Sequence, residues 1–186
     1  MAFSSTEFPD LIIVEPVVYG DDRGYFFESY NENTFSIEKL NMRFVQDNQA
    51  KSVYGVVRGL HFQQNPYAQT KLIRVLQGVI LDVVVDLRLN SPSYGKVFSI
   101  ELSEQNKKQL CVPKGFAHGY SVLSETAEVF YKCDEFYNKE SEGGLSYNDP
   151  VLGIDWMVPY EKMILSAKDM QYPAFSACTH NFTYDK

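Results

Sequence analysis

Residues 71–87, KLIRVLQGVILDVVVDL, decide the fold class of this chain. Gly78 divides the run into two strands, and branched aliphatic residues dominate the second one. From Ile80 to Leu87 every residue is apolar except Asp82 and Asp86, so this strand is predicted to be buried on both faces. In a β domain of two sheets, such a strand indicates that a second subunit covers its outer face.

The residues on either side of this run also predict short strands separated by turns. Turn signals at 90–93 and 103–106 bound a strand at 96–102, and one short helix is expected at 33–40. The other predicted strands are 11–14, 17–19, 53–62, 109–112, 119–122 and 127–137. The pattern predicts an all-β jelly roll in one domain, residues 1–186, with a core at about 45–140 and an N-terminal arm. The C-terminal tail is expected to be irregular from Gly143, with a short helix near Ser166.

Composition excludes one class of partner and leaves another open. Aromatic residues make up 15% of the chain, with 13 Tyr and 13 Phe, which favours strands over helices. The net charge is −7 and no run of Lys or Arg occurs, so binding to nucleic acid through its phosphates is not expected. A small anionic ligand remains compatible with this charge, because a pocket needs only a few local cations.

The apolar and cysteine patterns predict a cytoplasmic protein. No apolar run reaches membrane-spanning length, and the first residues lack a basic segment followed by an apolar one. We therefore expect neither a membrane segment nor a signal peptide. Cys111, Cys133 and Cys178 are odd in number and widely spaced, which is typical of free thiols in a reducing compartment.

Two of the three histidines lie in segments that suggest a site. His61 belongs to RGLHFQ at 58–63, and His118 belongs to PKGFAH at 113–118. A neutral imidazole is well matched to proton transfer near neutral pH. Arg58 and Lys71 place cations near His61, as an enzyme needs if it holds an anionic substrate while it removes a proton from carbon. The structural alternative is a histidine packed in the β core.

These segments belong to a series of motifs that occur in one family. The chain resembles the dTDP-4-dehydrorhamnose 3,5-epimerases, a branch of the cupin superfamily, over about residues 22–173. The motifs are DRGYFFE (22–28), QDN (46–48), GVVRGLHFQ (55–63), KLIRV (71–75), DVVVDLR (82–88), PKGFAHGY (113–120), YK (131–132), NDP (148–150) and SAKD (166–169). The resemblance implies a homodimer of cupin jelly rolls that uses no metal and no other cofactor.

The resemblance also implies a reaction and the residues that perform it. The substrate would be dTDP-4-dehydro-6-deoxy-D-glucose, inverted at C3 and C5 to give dTDP-4-dehydro-L-rhamnose. His61 would be the base, Tyr131 the acid on the opposite face, Lys71 the charge near the C4 oxygen, and Asp169 the partner that orients His61. The residues implied to bind the nucleotide and sugar are Arg23, Glu28, Gln46, Asn48, Arg58 and His118, with Tyr137 stacking on the nucleotide.

Several of these residues have a structural alternative. Asp169 follows Ser166 at capping-box spacing, so its carboxylate could serve a helix N-terminus instead. His118 could stabilise a turn, and Tyr131 could fill the core, as most buried tyrosines do.

Other functions also remain open. A metal-dependent cupin would need three or four N/O ligands. Too few remain in this chain, because Gln63 stands where a second histidine would be expected. A 3- or 5-monoepimerase, a 3,4-ketoisomerase or a non-catalytic cupin that binds sugar nucleotides would keep the same fold.

Overall fold

Residues 1–185, which the computed structural model describes, fold mainly into short strands. In chain order the elements are β1 (Ala2–Ser5), β2 (Ile12–Glu15), β3 (Tyr19–Asp21), β4 (Gly24–Phe26), α1 (Glu32–Ile37), β5 (Gln46–Val53), β6 (Val57–Gln63), β7 (Lys71–Gln77), β8 (Val79–Asp86), β9 (Val97–Ser103), β10 (Gln109–Val112), β11 (Phe116–Val122), β12 (Thr126–Cys133) and β13 (Glu142–Gly144). Short 3₁₀ turns occur in the tail. No helix within residues 1–185 is long and apolar enough to cross a membrane.

The strands form two antiparallel sheets that enclose the core. One sheet has the order β1-β2-β10-β7-β12-β5, and the other has the order β13-β6-β11-β8-β9. Ile73 and Val129 from the first sheet pack against Ile80, Val84 and other residues of the second. This arrangement confirms the predicted all-β jelly roll. Strands β3 and β4 form a separate hairpin in the N-terminal arm.

Strand β8 is buried on both faces, as its sequence predicts, but the cover comes from the same chain. Side chains alternate along a strand, so Ile80 and Val84 face the core between the sheets. Leu81 and Val83 lie on the other face, in a cluster with Trp156 and further residues of the C-terminal tail. The inference that a second subunit covers this face is therefore wrong. The C-terminal tail buries the apolar face that the sequence analysis assigned to contact with a second subunit.

The aspartate at the end of β8 is accommodated by a polar network. Asp86 is fully buried and accepts hydrogen bonds from Arg88, Ser91 and Ser93 at 2.6–3.0 Å. Burial opposes ionisation of Asp86, but these hydrogen bonds outweigh it and lower its pKa. Arg88 also bonds Asp10 of the N-terminal arm at 2.9 Å. The network thus fastens the arm to the end of the strand.

Most predicted elements are present, with shifted ends. The division at Gly78 is confirmed, since β7 ends at Gln77 and β8 begins at Val79. The predicted strand at 109–112 matches β10 at both ends. The helix expected at 33–40 is observed at Glu32–Ile37. Asn31 caps its start, and the positive φ of 62° at Lys39 prevents the helix from continuing to residue 40. Near Ser166 the tail forms only a 3₁₀ turn, Asp169–Gln171.

Two parts of the chain depart from the expected strands. Strand β5 was missed because its sequence, QDNQAKSV, is polar on both faces. The strand expected at 53–62 begins at Val57, since Gly55 turns the chain with a φ of 82°. Residues 17 and 18 are exposed and lie outside any strand, and the hairpin β3–β4 follows them.

Candidate active site

Two adjoining hollows lie between the sheets, with volumes of about 170 and 130 Å³. His61, Lys71 and Tyr131 line both of them. We call the first the Tyr137 hollow, which is also lined by Gln46, Asn48, Phe62, Gln63, Gln69, Tyr137 and Glu142. The second is the Arg58 hollow, which is also lined by Ala50, Arg58, His118, Gly119 and Tyr120.

Strand alternation explains why polar side chains reach these hollows. On β5, the half-buried positions are Gln46, Asn48 and Ala50, while the residues between them are exposed. Asn48 lies directly opposite Tyr131 on β12, so both side chains project from the same face. A strand that supplies polar pocket residues from its inner face cannot show apolar alternation, and residues 46–53 therefore carry no sequence pattern typical of a strand.

His61 is held by Asp169. Its Nε2 atom lies 2.5 Å from Oδ1 of Asp169, whose residue is only 4% exposed. Burial opposes ionisation of Asp169, but the hydrogen bond to His61 and its charge, with bonds from Ser166 and the Gly59 backbone, lower its pKa. One hydrogen bond of a capping box is present, because the Asp169 backbone N–H donates to Ser166 Oγ at 3.1 Å. The carboxylate itself contacts His61.

A tyrosine that the sequence did not single out also packs against His61. The rings of Tyr172 and His61 meet edge to face, with centroids 5.5 Å apart. Gly144 makes this contact possible, because a Cβ there would lie 2.6 Å from the Tyr172 ring and 2.7 Å from the Leu60 carbonyl oxygen. No motif signalled Tyr172 or Gly144; only the packing of the tail on β13 and β6 reveals them.

Lys71 and Tyr131 stand together on the other sheet. The Lys71 ammonium lies 6.0 Å from the centroid of the Tyr131 ring. Burial lowers the pKa of Lys71, while electrostatic interactions with the nearby acidic groups Cys133, Asp82 and Glu142 oppose that effect. Burial raises the pKa of Tyr131 to about 12. Tyr131 therefore carries its proton at neutral pH and can act as a donor.

His118 lies both in the site and in a buried pair. It is the cross-strand partner of His61 and lines the Arg58 hollow. Its Nε2 atom lies 2.9 and 3.1 Å from the two carboxylate oxygens of Asp82, which is fully buried. His118 can therefore contact a ligand in the hollow and at the same time belong to a buried structural pair. The pair also explains the first aspartate of β8, to which the sequence assigned no role.

Five of the seven residues expected to bind the nucleotide and sugar line the two hollows. In the Tyr137 hollow, the Tyr137 backbone N–H donates to Gln46 Oε1 at 3.0 Å, and Gln46 donates to Asn48 at 3.1 Å. The Tyr137 hydroxyl donates to Glu142 at 2.9 Å. In the Arg58 hollow, Arg58 Nε donates to Ser52 at 3.1 Å. Sequence reasoning missed Glu142, Gln63, Gln69 and Tyr120.

Arg23 and Glu28 line neither hollow of their own chain. The Arg23 side chain is 89% exposed and pairs with Asp21 at 2.5 Å within the arm hairpin. Glu28 accepts a hydrogen bond from Asn31 at 3.0 Å beside the helix. Within one chain, neither residue therefore reaches the hollows, and the expectation that both bind substrate stays a prediction.

The described residues provide no cluster of three or more His, Cys, Asp or Glu side chains placed to hold a metal ion. His61 and His118 are neighbours, but each bonds a different carboxylate. The expectation that the protein uses no metal and no cofactor stays a prediction.

Known proteins resemble this chain over most of its length. The family model described as dTDP-4-dehydrorhamnose 3,5-epimerase matches residues 5–177. The epimerase of that name from Escherichia coli (strain K12) is 50% identical over 165 residues, covering 88% of this chain and 89% of that protein. The crystal structure of the one from Elizabethkingia anophelis is 54% identical, with a TM-score of 0.90 over 95% of this chain and 97% of that one.

A third similar structure contains a bound sugar nucleotide. It is a dTDP-6-deoxy-D-glucose-3,5-epimerase from Legionella pneumophila in complex with dTDP-4-keto-L-rhamnose. The two chains are 44% identical, and the TM-score is 0.90 over 95% of this chain and 93% of that one.

Proposed function

The chain belongs to the dTDP-4-dehydrorhamnose 3,5-epimerase family, and from this premise we propose that it inverts C3 and C5 of dTDP-4-dehydro-6-deoxy-D-glucose. The product is dTDP-4-dehydro-L-rhamnose. One observation carries the proposal: His61 on β6 and Tyr131 on β12 reach the same hollows from different sheets. Inversion needs a base and an acid on opposite faces of one carbon.

The chemistry begins with His61 as the base. Protons at C3 and C5 are acidic because each carbon adjoins the C4 ketone. His61 removes one of them, and the electron pair of the broken C–H bond moves into an enolate whose charge rests on the C4 oxygen. The Asp169 carboxylate stabilises the imidazolium that forms, since it lies 2.5 Å from the His61 ring nitrogen.

Lys71 and Tyr131 complete the inversion. The Lys71 ammonium stabilises the enolate oxygen electrostatically, in a pocket where burial strengthens such an interaction. Tyr131 then gives its proton to the carbon from the opposite face, which forms the new C–H bond. The high pKa of Tyr131 keeps this proton in place until the enolate is present. Proton exchange with solvent then removes the extra proton from His61 and returns a proton to Tyr131.

The nucleotide and sugar are bound by the remaining residues of the two hollows. Arg58 supplies a cation for an anionic substrate. His118 lines the same hollow and is held in place by its hydrogen bond to Asp82. Gln46 and Asn48 offer amide groups, and the half-exposed ring of Tyr137 stacks on the nucleotide.

The same proposal includes a homodimer in the cytoplasm. Three unpaired cysteines support a reducing compartment.

The arm hairpin supports the dimer, because Tyr19, Tyr25 and Phe26 on it are 62–70% exposed. Arg23 and Glu28 then bind substrate in the pocket of the second copy. Light scattering should give twice the chain mass, and Arg23→Ala should weaken binding of dTDP; a monomer, or unchanged affinity, would contradict this part.

A coupled assay tests the epimerase function. Purified protein is incubated with dTDP-4-dehydro-6-deoxy-D-glucose, and a downstream NADPH-dependent reductase traps the doubly inverted product. We expect NADPH consumption that requires both the protein and the substrate. A recovered sugar inverted at one carbon only would identify a monoepimerase. Binding of dTDP without any product would identify a non-catalytic cupin.

A further inference from the structure

Cys133 is a buried thiol that the proposed mechanism does not use. It lies on β12 two residues after Tyr131, so both side chains project from the inner face, and it is only 1% exposed. In the register of the sheet, Cys133 stands between Gln46 of β5 and Lys71 of β7. Cross-strand partners share a face, so these three side chains form one row. Gln46 and Lys71 line the Tyr137 hollow, and the thiol lies buried between them.

A chain of hydrogen bonds ends at this thiol. The Tyr137 backbone N–H donates to Gln46 Oε1 at 3.0 Å, and Gln46 Nε2 donates to Asn48 Oδ1 at 3.1 Å. Asn48 Nδ2 in turn donates to Sγ of Cys133 at 3.6 Å. Because a backbone N–H can only donate, the first bond sets the direction of the whole chain. The last amide then needs an acceptor, and the sulfur of Cys133 is that acceptor.

This chain leaves donors free for a ligand in the hollow. An amide nitrogen carries two hydrogens, so Gln46 and Asn48 each keep one N–H beyond the bond within the chain. Both residues line the Tyr137 hollow. If the Asn48 amide lost its bond to the sulfur, it could rotate, and its free N–H would no longer have a fixed direction. The sulfur therefore acts on what the hollow offers to a ligand without lining the hollow itself.

The thiol is an uncharged acceptor. Burial raises the pKa of Cys133, while the interaction with Lys71 and the hydrogen bond from Asn48 oppose that effect. Cys133 therefore keeps its proton at neutral pH. Neutral sulfur is a weak acceptor, so the loss of this one bond should have a modest effect.

Cys111 provides the comparison within the same sheet. It is also 1% exposed and lies on β10. Its side chain packs with Leu72, Val14 and Phe35 in an apolar cluster on the outer face, away from both hollows. The two cysteines thus share their burial and their sheet, and they differ in the bond to Asn48.

We propose that Cys133 is a positioning residue, whose sulfur holds the Asn48 amide, and through it the Gln46 amide, in the orientation that receives the nucleotide sugar. This role rests on the proposed function, in which the Tyr137 hollow takes the nucleotide. Cys133 touches neither the substrate nor the reacting atoms. Its removal should therefore weaken binding and leave the proton transfers at His61 and Tyr131 unchanged.

Three variants test the effect on binding. In Cys133→Ala the acceptor is lost, and the dissociation constant for dTDP, measured by calorimetry, should rise about three- to tenfold, as expected for one neutral hydrogen bond. Its kcat should stay near wild type, because only binding is affected. Cys133→Ser returns a small acceptor to the same place and should restore most of the affinity. Cys111→Ala is the matched control, which should lower the melting temperature and leave dTDP affinity unchanged.

A readout independent of ligand and turnover keeps this proposal distinct from the proposed function. In nitrogen-resolved proton NMR of the free protein, the side-chain amide signals of Asn48 should shift in Cys133→Ala and stay in place in Cys111→Ala. They should return toward their wild-type positions in Cys133→Ser. Cys133→Val fills the space without an acceptor, so it replaces Cys133→Ala if that variant does not fold.

Three results would overturn the positioning role of Cys133. The first is an unshifted Asn48 amide signal in Cys133→Ala, and the second is wild-type affinity for dTDP in that variant. The third is an equal loss of affinity in folded Cys133→Ala and Cys133→Ser, which would mean that the acceptor is not what matters. If the wild-type protein bound no dTDP, the proposed function would fail, and the amide signals would still decide the role of Cys133.

Discussion

Asp169→Asn is the substitution that separates orientation of the base from its chemistry. The change keeps the size of a side chain that is 4% exposed and leaves its backbone N–H on Ser166. It removes the charge that faces His61 at 2.5 Å. The imidazolium formed on proton abstraction then loses its counter-charge, while the substrate complex before proton transfer loses less. The variant should therefore lose rate more than binding.

The structure sets the scale of this loss. A hydrogen bond to a charged group contributes about 1.5–3 kcal/mol. Each factor of ten in rate corresponds to about 1.4 kcal/mol. The contact between Asp169 and His61 is buried and short, so its loss should cost about 1.5–3 kcal/mol in the transition state. This free energy corresponds to a fall in kcat of roughly 10- to 150-fold. Affinity for dTDP should stay within a few-fold, since Asp169 lines neither hollow.

Steady-state kinetics with the coupling reductase, together with calorimetric titration of dTDP, measure both quantities. Asp149→Asn is the matched control. Asp149 is also 4% exposed and lies in the same tail, but it accepts hydrogen bonds from the backbone N–H groups of Val151, Leu152 and Phe175. The control should lower the melting temperature and leave kcat near wild type. Wild-type kcat in Asp169→Asn, or an equal loss in both variants, would refute the orienting role.

Four further substitutions test the rest of the site. His61→Ala should abolish turnover while dTDP affinity stays within a few-fold; a full rate would remove the base assignment. Tyr131→Phe should lose the inverted product but keep exchange of a substrate proton with solvent, and normal epimerisation would mean another acid. Because the pKa of Tyr131 is about 12, the wild-type rate should show no loss from its ionisation below about pH 10. Arg58→Ala should weaken dTDP binding, seen by calorimetry, by about 1.5–3 kcal/mol, and unchanged affinity would take it out of the pocket. Gly144→Ala should push the Tyr172 ring toward His61 and cost about 1–3 kcal/mol of stability in thermal unfolding, with a lower kcat; a neutral result would show that the ring moves freely.

The fold could be predicted from the sequence wherever one pattern dominated. The branched aliphatic run around Gly78 has no reasonable alternative to two buried strands, and both are present. Strand β5 could not be found in this way, because its inner face carries Gln46 and Asn48 for the pocket. A residue chosen to bind a ligand removes the alternation by which a strand is recognised. The cover on β8 was misassigned, because the tail that supplies it lacks any regular period.

Sequence motifs pointed to several residues that line the hollows, but residues placed there by packing had no motif to mark them. His61, Lys71 and Tyr131 were named from motifs, and the structure places them together. Glu142 and Tyr172 carry no local signal, because their importance comes from the docking of the tail on β13 and β6. Such contacts join residues far apart in the chain, and spacing along the sequence holds no information about them.

Proton NMR of dTDP-4-dehydro-6-deoxy-D-glucose with the enzyme in deuterated water tests the central claim most directly. A base and an acid on opposite faces, both open to exchange with solvent, predict deuterium at C3 and at C5 of the product trapped by the reductase. Deuterium at one carbon only would make the protein a monoepimerase. No exchange at either carbon, in a folded protein that binds dTDP, would contradict the account.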